Sequence, residues 1–434
     1  MKGLTALVAA LFLSGAPVEG QASDTLVQAV LVSRHGVRTP TASFEVLANF
    51  AARPWPAWRE PLGNLTAKGK RLATLVGRYQ RSVLAAERLL PASGCPEPNS
   101  VYVYADVAER TEQTAQGFLE GFAPGCGIAV RSKAPAKVDG VFHPAASGVC
   151  RIDALEAQSA VLERVGGGFS SVVAGHRDAF GALQRILGCC APALCAAFGR
   201  PAACTLTEVP TALVDLPEGQ GISLIGALSI ASTASEIFLL EYADGKPTPE
   251  VGWGRAGLAE IRRVLPLHDL AFDLLFRTPY LARRQGSSLL ARAAGALTGR
   301  SFGGLAAPEA AARDARLVVY VGHDDNLANL GGLLDARWSL PSYPENETPP
   351  AGALLFEKRR APDGSERIFL SFVAQTPDQM RDETALTLAT PPMRTPIRIP
   401  GCSRDEPGYP CAIAEFANLV ARVVDPGCVD RAPE

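Results

Sequence analysis

The stretch that decides the fold is Leu26-Val27-Gln28-Ala29-Val30-Leu31-Val32, followed at once by Ser33-Arg34-His35-Gly36-Val37-Arg38-Thr39-Pro40. A short apolar run rich in branched residues reads as a strand buried on both faces, the kind a parallel sheet contains. Two arginines and a histidine therefore emerge at the carboxyl end of a core strand, where open α/β sheets bind ligands. Gly36 frees the backbone for a sharp turn, and Pro40 keeps a helix from starting before about residue 41. Arg34 and Arg38 are planar forks matched to phosphate or carboxylate oxygens. His35 between them is a candidate nucleophile, base or ligand.

Working outward, two more strand ends carry polar groups. Val101-Tyr102-Val103-Tyr104 runs into Ala105-Asp106-Val107-Ala108-Glu109-Arg110, and a helical segment follows. Leu317-Val318-Val319-Tyr320-Val321 delivers Gly322-His323-Asp324-Asp325-Asn326, with a short helix over 327–334. Residues 65–90 read as a helix with Thr66 as its N-cap, and 353–356 and 368–374 as closing strands. From about residue 151 to 277, Ala, Leu and Arg dominate at helical spacing, which predicts a mainly helical insertion.

Length and composition bound the rest. A chain of 434 residues exceeds one ordinary core, so two domains are expected. The 42 basic and 44 acidic residues leave a net charge of −2. Nothing in that balance points to nucleic acid or a membrane surface, and any anion site must be made locally. Lys2, the apolar run over 4–13 and Gly20-Gln21-Ala22 read as a secretory signal cleaved after about Ala22. The ten cysteines fit an exported, disulfide-bonded chain. No cysteine pair has zinc-finger spacing and the five histidines are scattered, so no metal is expected. From spacing alone Cys402 and Cys411 can close a loop. The vicinal pair Cys189-Cys190 is left open.

If the three strand ends converge, the pocket holds three guanidiniums (Arg34, Arg38, Arg110), two imidazoles (His35, His323) and the carboxyl of Asp324. That inventory suits phosphoryl transfer, where charged forks neutralise oxygens in the transition state. A neutral imidazole attacks phosphorus, and a carboxylic acid that arrives protonated serves the leaving oxygen. Acid-range activity is the corollary. Several strings are set aside as decoys. Gly299-Arg300-Ser301-Phe302-Gly303 matches a nucleophile elbow but follows an Ala-rich helical segment. Gly175-His176-Arg177 lies in the insertion, and His143 and His268 are isolated. No Walker-type loop and no dinucleotide glycine pattern follows a strand.

These residues resemble the histidine acid phosphatases, and among them the bacterial periplasmic phytase type. The likeness runs from Val32 to Pro40 and through Leu65-Thr66-Ala67-Lys68-Gly69, Ala105-Asp106 and Arg110-Thr111. It continues with Ser235-Glu236-Ile237-Phe238, Gly252-Trp253-Gly254, Arg277-Thr278-Pro279, Gly322-His323-Asp324, Thr348-Pro349-Pro350 and Gln379-Met380-Arg381-Asp382. The resemblance implies a phosphoglycerate mutase-like α/β fold: a three-layer sandwich about a mostly parallel sheet, with a helical domain inserted. The expected division is a signal over 1–22, a catalytic α/β domain over 23–150 and 278–434, and the insertion over 151–277 as one cleft wall.

By the same resemblance His35 forms a phosphohistidine and Asp324 donates the proton. Arg34, Arg38, Thr41, Arg110 and His323 hold the phosphate. No cofactor is implied. The partners would be small phosphate esters, with phytate first and glucose-1-phosphate or other sugar phosphates next, acted on by a monomer in the periplasm or outside the cell. The family pattern pairs Cys95 with Cys126, Cys150 with Cys428, Cys195 with Cys204 and Cys402 with Cys411. One departure stands out: the type usually carries a lysine after the Thr41 position, for a neighbouring phosphate, and here it is Ala42. Arg277 is a candidate substitute, and Glu236 is expected to face the cleft. A phosphoryl-transferring mutase and a non-catalytic phosphate-ester binding protein are the alternative readings.

Overall fold

The computed structural model describes residues 24–134, 137–305 and 309–432; the expected signal over 1–22 lies outside them. Ten strands occur among the described residues: β1 (Thr25–Arg34), β2 (Val101–Ala105), β3 (Val130–Arg131), β4 (Ala212–Asp215), β5 (Ile222–Ile225), β6 (Leu317–Gly322), β7 (Ala353–Arg360), β8 (Glu366–Ala374), β9 (Met393–Ile397) and β10 (Cys411–Ala412). β1 is buried almost end to end because it sits mid-sheet, in the order β10-β8-β7-β1-β6-β2-β3, with β9 also on β8. On one side β1 pairs with β6, β6 with β2 and β2 with β3, all parallel. On the other side β7, β8, β9 and β10 pair antiparallel, closing the sheet.

Register places the site. Arg34 lies opposite Gly322, and Ala105 opposite Val321. The ladder continues one step further: His35 N donates to Gly322 O at 2.9 Å and Asp106 N to Val321 O at 3.0 Å. Three parallel strands thus end level, and the residues just past them share one edge.

The 36–38 loop is pinned from below by the helix Ala67–Ala86. Thr66 caps that helix, accepting from Gly69 N at 2.9 Å, and its own N–H donates to Val37 O at 2.9 Å. A Cβ on Gly69 would stand 2.2 Å from Val37 O. Only a glycine lets the helix approach that closely. This is the structural use of the Leu65-Thr66-Ala67-Lys68-Gly69 string.

Helices 67–86 and 109–122 cover one face of the sheet, over a core that includes Leu31, Val103, Phe118 and Val319. The larger core occupies the other face and runs on into the 151–277 segment. That segment is mainly helical, with one two-stranded hairpin, β4–β5. All ten cysteines are bonded: Cys95–Cys126, Cys150–Cys428, Cys195–Cys204, Cys402–Cys411, and Cys189–Cys190 to one another. The vicinal pair left open at the sequence level is therefore bridged to itself.

One core group carries a pH signature. Glu241, on helix Ala227–Ala243, is fully buried and accepts from Gly252 N at 2.9 Å. Burial pushes its carboxyl up to about 8. An unfolded glutamate titrates near pH 4.3, so between those values the folded state binds the extra proton. Stability should fall as pH rises from about 5 to 8. Glu241→Gln should flatten that slope in urea unfolding series run across the range. An unchanged slope would remove Glu241 as its source.

Candidate active site

At the end of β1 the His35 ring is buried, and its Nδ1–H donates to Gly36 O at 2.9 Å. That bond fixes the tautomer and leaves Nε2 with a lone pair. Burial, then the charges of Arg34, Arg38 and Arg110, hold the imidazole well below its ordinary range, so it is neutral. A neutral imidazole amid fixed positive charge is what an attacking nitrogen needs.

The guanidiniums are held by carboxylates. Arg34, wholly buried, donates through Nη1 to Thr348 O at 2.7 Å and through Nη2 to Glu236 Oε1. The same Nη2 lies 2.8 Å from Asp324 Oδ2. Arg38 Nη2 reaches both Glu236 oxygens, at 2.8 and 3.0 Å. Arg110 Nη2 lies 3.2 Å from His323 Nδ1. Arg34, Arg38 and Arg110 each keep a buried Nε–H that no protein group accepts. Buried donors of this kind demand acceptors, and the oxygens of a tetrahedral anion would supply them.

His323 is the N-cap residue of helix Asp324–Leu333, and its Nε2 lies 2.7 Å from Asp106 Oδ2. With Nε2–H donating to that carboxylate, Nδ1 faces Arg110. Burial opposes the charge on Asp106, but hydrogen bonds from His143 and His323 outweigh it and hold the carboxyl below its ordinary range. Asp324 begins the helix and accepts from Asp325 N at 3.0 Å. Burial opposes its charge too, and Arg34 and Arg38 outweigh the burial. The resting Asp324 is therefore ionised. The ion pair with Arg34 stabilises the carboxylate, so the proton needed for the leaving oxygen has to reach Asp324 when substrate binds.

This arrangement has known relatives. A family model described as "Histidine phosphatase superfamily (branch 2)" matches residues 25–175. The chain is 39% identical over 411 residues to the phytase AppA of Escherichia coli (strain K12), covering 93% of each. The chain belongs to the histidine phosphatase superfamily. It is also 29% identical to the glucose-1-phosphatase of Salmonella typhimurium, over 96% of this chain and 98% of that one. Among solved structures, the Citrobacter braakii phytase superposes with TM-score 0.83 at 36% identity, covering 93% of this chain and 99% of that one. The Hafnia alvei phytase bound to tartrate gives 0.86 at 33%, covering 95% and 100%.

In this histidine phosphatase, Arg34, His35, Arg38, Arg110, His323 and Asp324 do converge. Thr41 is exposed, and a Cβ on Gly63 would stand 3.8 Å from both its Cγ2 and Arg110 Nη1, which puts Thr41 at the rim. Glu236 faces the cleft as expected and ties two arginines together. Arg277, the candidate substitute for the missing lysine, keeps a buried Nη1 with no hydrogen-bond partner. It is buried, bonded to Ala336 O at 2.6 Å and Asp273 at 3.4 Å, with its guanidinium 5.2 Å above Trp338. The decoys remain decoys. Gly299 is the left-handed cap of helix Pro279–Thr298, and His176 bonds back to Val172 O at 2.9 Å.

Sequence reasoning missed three groups. His143, set aside as isolated, lies 3.5 Å from Asp106 and packs on the His323 ring at 4.9 Å. His268, likewise set aside, is buried against Ser232 Oγ at 3.1 Å, and one ring nitrogen comes within 4.8 Å of carboxylate oxygens of Glu236 and Asp324. Glu347 is buried near Arg34, its carboxyl raised by burial, and the neighbouring Asp269 is raised by burial and by Glu347. None of these follows a strand in the chain. The only available signal was their residue type.

Proposed function

We propose that this phosphatase hydrolyses phosphomonoesters through a phosphohistidine on His35, with phytate as its leading substrate. The observation that carries the reading is the His35 imidazole, neutral with Nε2 free, among three guanidiniums and beside Asp324. In the first step Nε2 attacks phosphorus in line, the P–O bond to the leaving oxygen breaks, and Asp324 supplies a proton to that oxygen. In the second step water attacks the phosphohistidine, Asp324 takes the water's proton, and inorganic phosphate leaves. Arg34, Arg38, Arg110 and His323 stabilise the equatorial oxygens, and Thr41 contacts the phosphate from the rim.

The proton on Asp324 comes with the substrate. A phosphate monoester has its second ionisation near pH 6, so in acid it arrives as a monoanion. As its oxygens take over Arg34 and Arg38, Asp324 loses its stabilising partners and gains a negative neighbour, and the proton moves to it. Five disulfides fit an oxidising compartment, and no helix among the described residues is long and apolar enough to cross a membrane. With the signal reading, they support export to the periplasm or beyond. Residues 151–277 act as the second wall of the cleft, contributing Glu236 and His268.

Substrate preference is tested by turnover on phytate, glucose-1-phosphate and p-nitrophenyl phosphate side by side. Phytate should give the highest kcat/KM; a clear preference for glucose-1-phosphate would move this phosphatase to the other reading. Ala42 stands beside the rim residue Thr41, where a lysine would meet a second phosphate. Ala42→Lys should raise kcat/KM on phytate roughly tenfold, the worth of one charge-assisted contact, and leave p-nitrophenyl phosphate nearly unchanged. Equal effects on both substrates would argue against a second phosphate subsite there.

A further inference from the structure

The phosphoryl-transfer steps leave His143 unused, although its ring packs on that of His323 at 4.9 Å. His143 sits in the loop after β3, where its N–H donates to Asp139 O at 2.8 Å. Asn326 Nδ2, donating to Phe142 O at 2.9 Å, ties that loop to helix Asp324–Leu333. His143 Nε2 lies 3.5 Å from Asp106 Oδ2, the same oxygen that takes His323 Nε2–H at 2.7 Å. One carboxylate oxygen therefore serves two imidazoles, and of these His323 belongs to the pouch and His143 does not. The His143 side chain is 30% exposed and that of His323 5%, so His143 can exchange its proton with solvent directly.

We propose that His143 is a positioning residue for anion binding: its proton-dependent charge, acting through Asp106, sets how strongly the pouch holds a phosphoryl group. The inference rests on the phosphate pouch of the proposed function. Asp106 places a negative charge directly behind an anion site. When His143 is cationic that charge is cancelled, and the guanidiniums of Arg34, Arg38 and Arg110 face the ligand undiminished. When His143 is neutral the carboxylate opposes the ligand. Histidine is the side chain whose ordinary charge change falls between about pH 5 and 8.

The charged groups that act on His143 come from three elements. They are Asp106 just past β2, Arg110 on helix Glu109–Phe122, and His323 and Asp325 at the start of helix Asp324–Leu333. Burial disfavours the cation on His143, but Asp106 and Asp325 outweigh burial and Arg110, and its imidazole is held above its ordinary range. His323 is held below that range by burial, with the charges of His143 and Arg110 adding to it. The positive charge that the shared carboxylate supports thus resides on His143. His323 stays neutral, its Nδ1 lone pair beside Arg110 Nη2. As pH rises, the proton leaves His143 for solvent, and the pouch loses affinity for anions.

Inorganic sulfate is the probe, a tetrahedral dianion throughout the range of about pH 5 to 8 in which histidine titrates. Its inhibition constant should be measured against p-nitrophenyl phosphate at fixed ionic strength. Wild-type protein should bind sulfate roughly five- to tenfold more weakly at the top of that range than at the bottom, the effect of one unit charge in a site of intermediate dielectric. His143→Gln keeps an amide donor toward Asp106 but never charges. It should bind sulfate weakly throughout, with KM raised in acid and kcat little changed. His143→Lys stays charged and should bind tightly throughout. Parallel profiles for wild type and His143→Gln overturn the proposal. So does a His143→Lys profile that weakens with pH as the wild type does, which keeps the test decisive should His143→Gln fold poorly. Absence of sulfate inhibition in all three proteins would instead overturn the pouch reading, and this inference with it.

Discussion

Replacing His35 with alanine is expected to abolish phosphate release, by roughly four orders of magnitude or more, as loss of a nucleophile does in enzymes whose catalytic groups act as a unit. The reason is geometric. His35 is the one imidazole at the end of β1 whose Nδ1 is committed to Gly36 O while Arg34, Arg38 and Arg110 suppress protonation at Nε2. His323, the other imidazole of the pouch, has its Nε2 on Asp106 and its Nδ1 beside Arg110. Wild-type protein quenched in alkali during turnover of a labelled ester should carry acid-labile phosphate on histidine. His35→Ala should carry none, and free imidazole should restore part of the turnover by entering the vacated space. A variant that turns over at the wild-type rate would end the phosphohistidine mechanism.

Asp324→Asn should cost about 10²–10⁴-fold on phytate, the usual range for a lost general acid–base group. The loss should shrink on p-nitrophenyl phosphate, whose leaving oxygen needs no proton. Asparagine keeps the shape, and Arg34 retains Glu236 and Thr348 O, so the pouch should stay assembled. The pH dependence follows from where the proton comes from. Resting Asp324 is ionised because Arg34 and Arg38 outweigh its burial, so it cannot itself bring the proton at moderate pH. Wild-type kcat/KM should fall as pH rises through the substrate's second ionisation, near pH 6. Equal losses on both esters, or a flat wild-type profile up to neutrality, would remove Asp324 from the acid role.

The central strands of the sheet were legible in the chain because buried strands must be apolar, whereas the short or edge strands β3, β9 and β10 were not. The runs at 26–32, 101–104 and 317–321 became β1, β2 and β6, with polar residues at their carboxyl ends. The helix after Thr66 was legible too, since an N-cap side chain must satisfy an otherwise unpaired backbone donor. Arg34, His35, Arg38, His323 and Asp324 could be named because each sits within a few residues of such a strand end.

What escaped the sequence was a set of groups that reach the site across space. His143 comes from a loop, His268 from helix Pro266–Phe276, and Glu347 from the loop before β7. Spacing along the chain carries no trace of those meetings, since burial and pairing depend on which surfaces pack together.

The sequence by itself determined the sheet's core strands, the helix caps and the nucleophile-bearing loop, because local periodicity and turn chemistry are written residue by residue. Only the tertiary structure decided the protonation of that loop's partners. The pairing of Arg34 with Asp324 and of Asp106 with His323 joins segments more than two hundred residues apart, and the pairing of Asp106 with His143 and the burial that suppresses charge on His35 likewise arise only from packing. Electrostatic energy depends on distance and solvent exposure, and neither exists until the chain is folded.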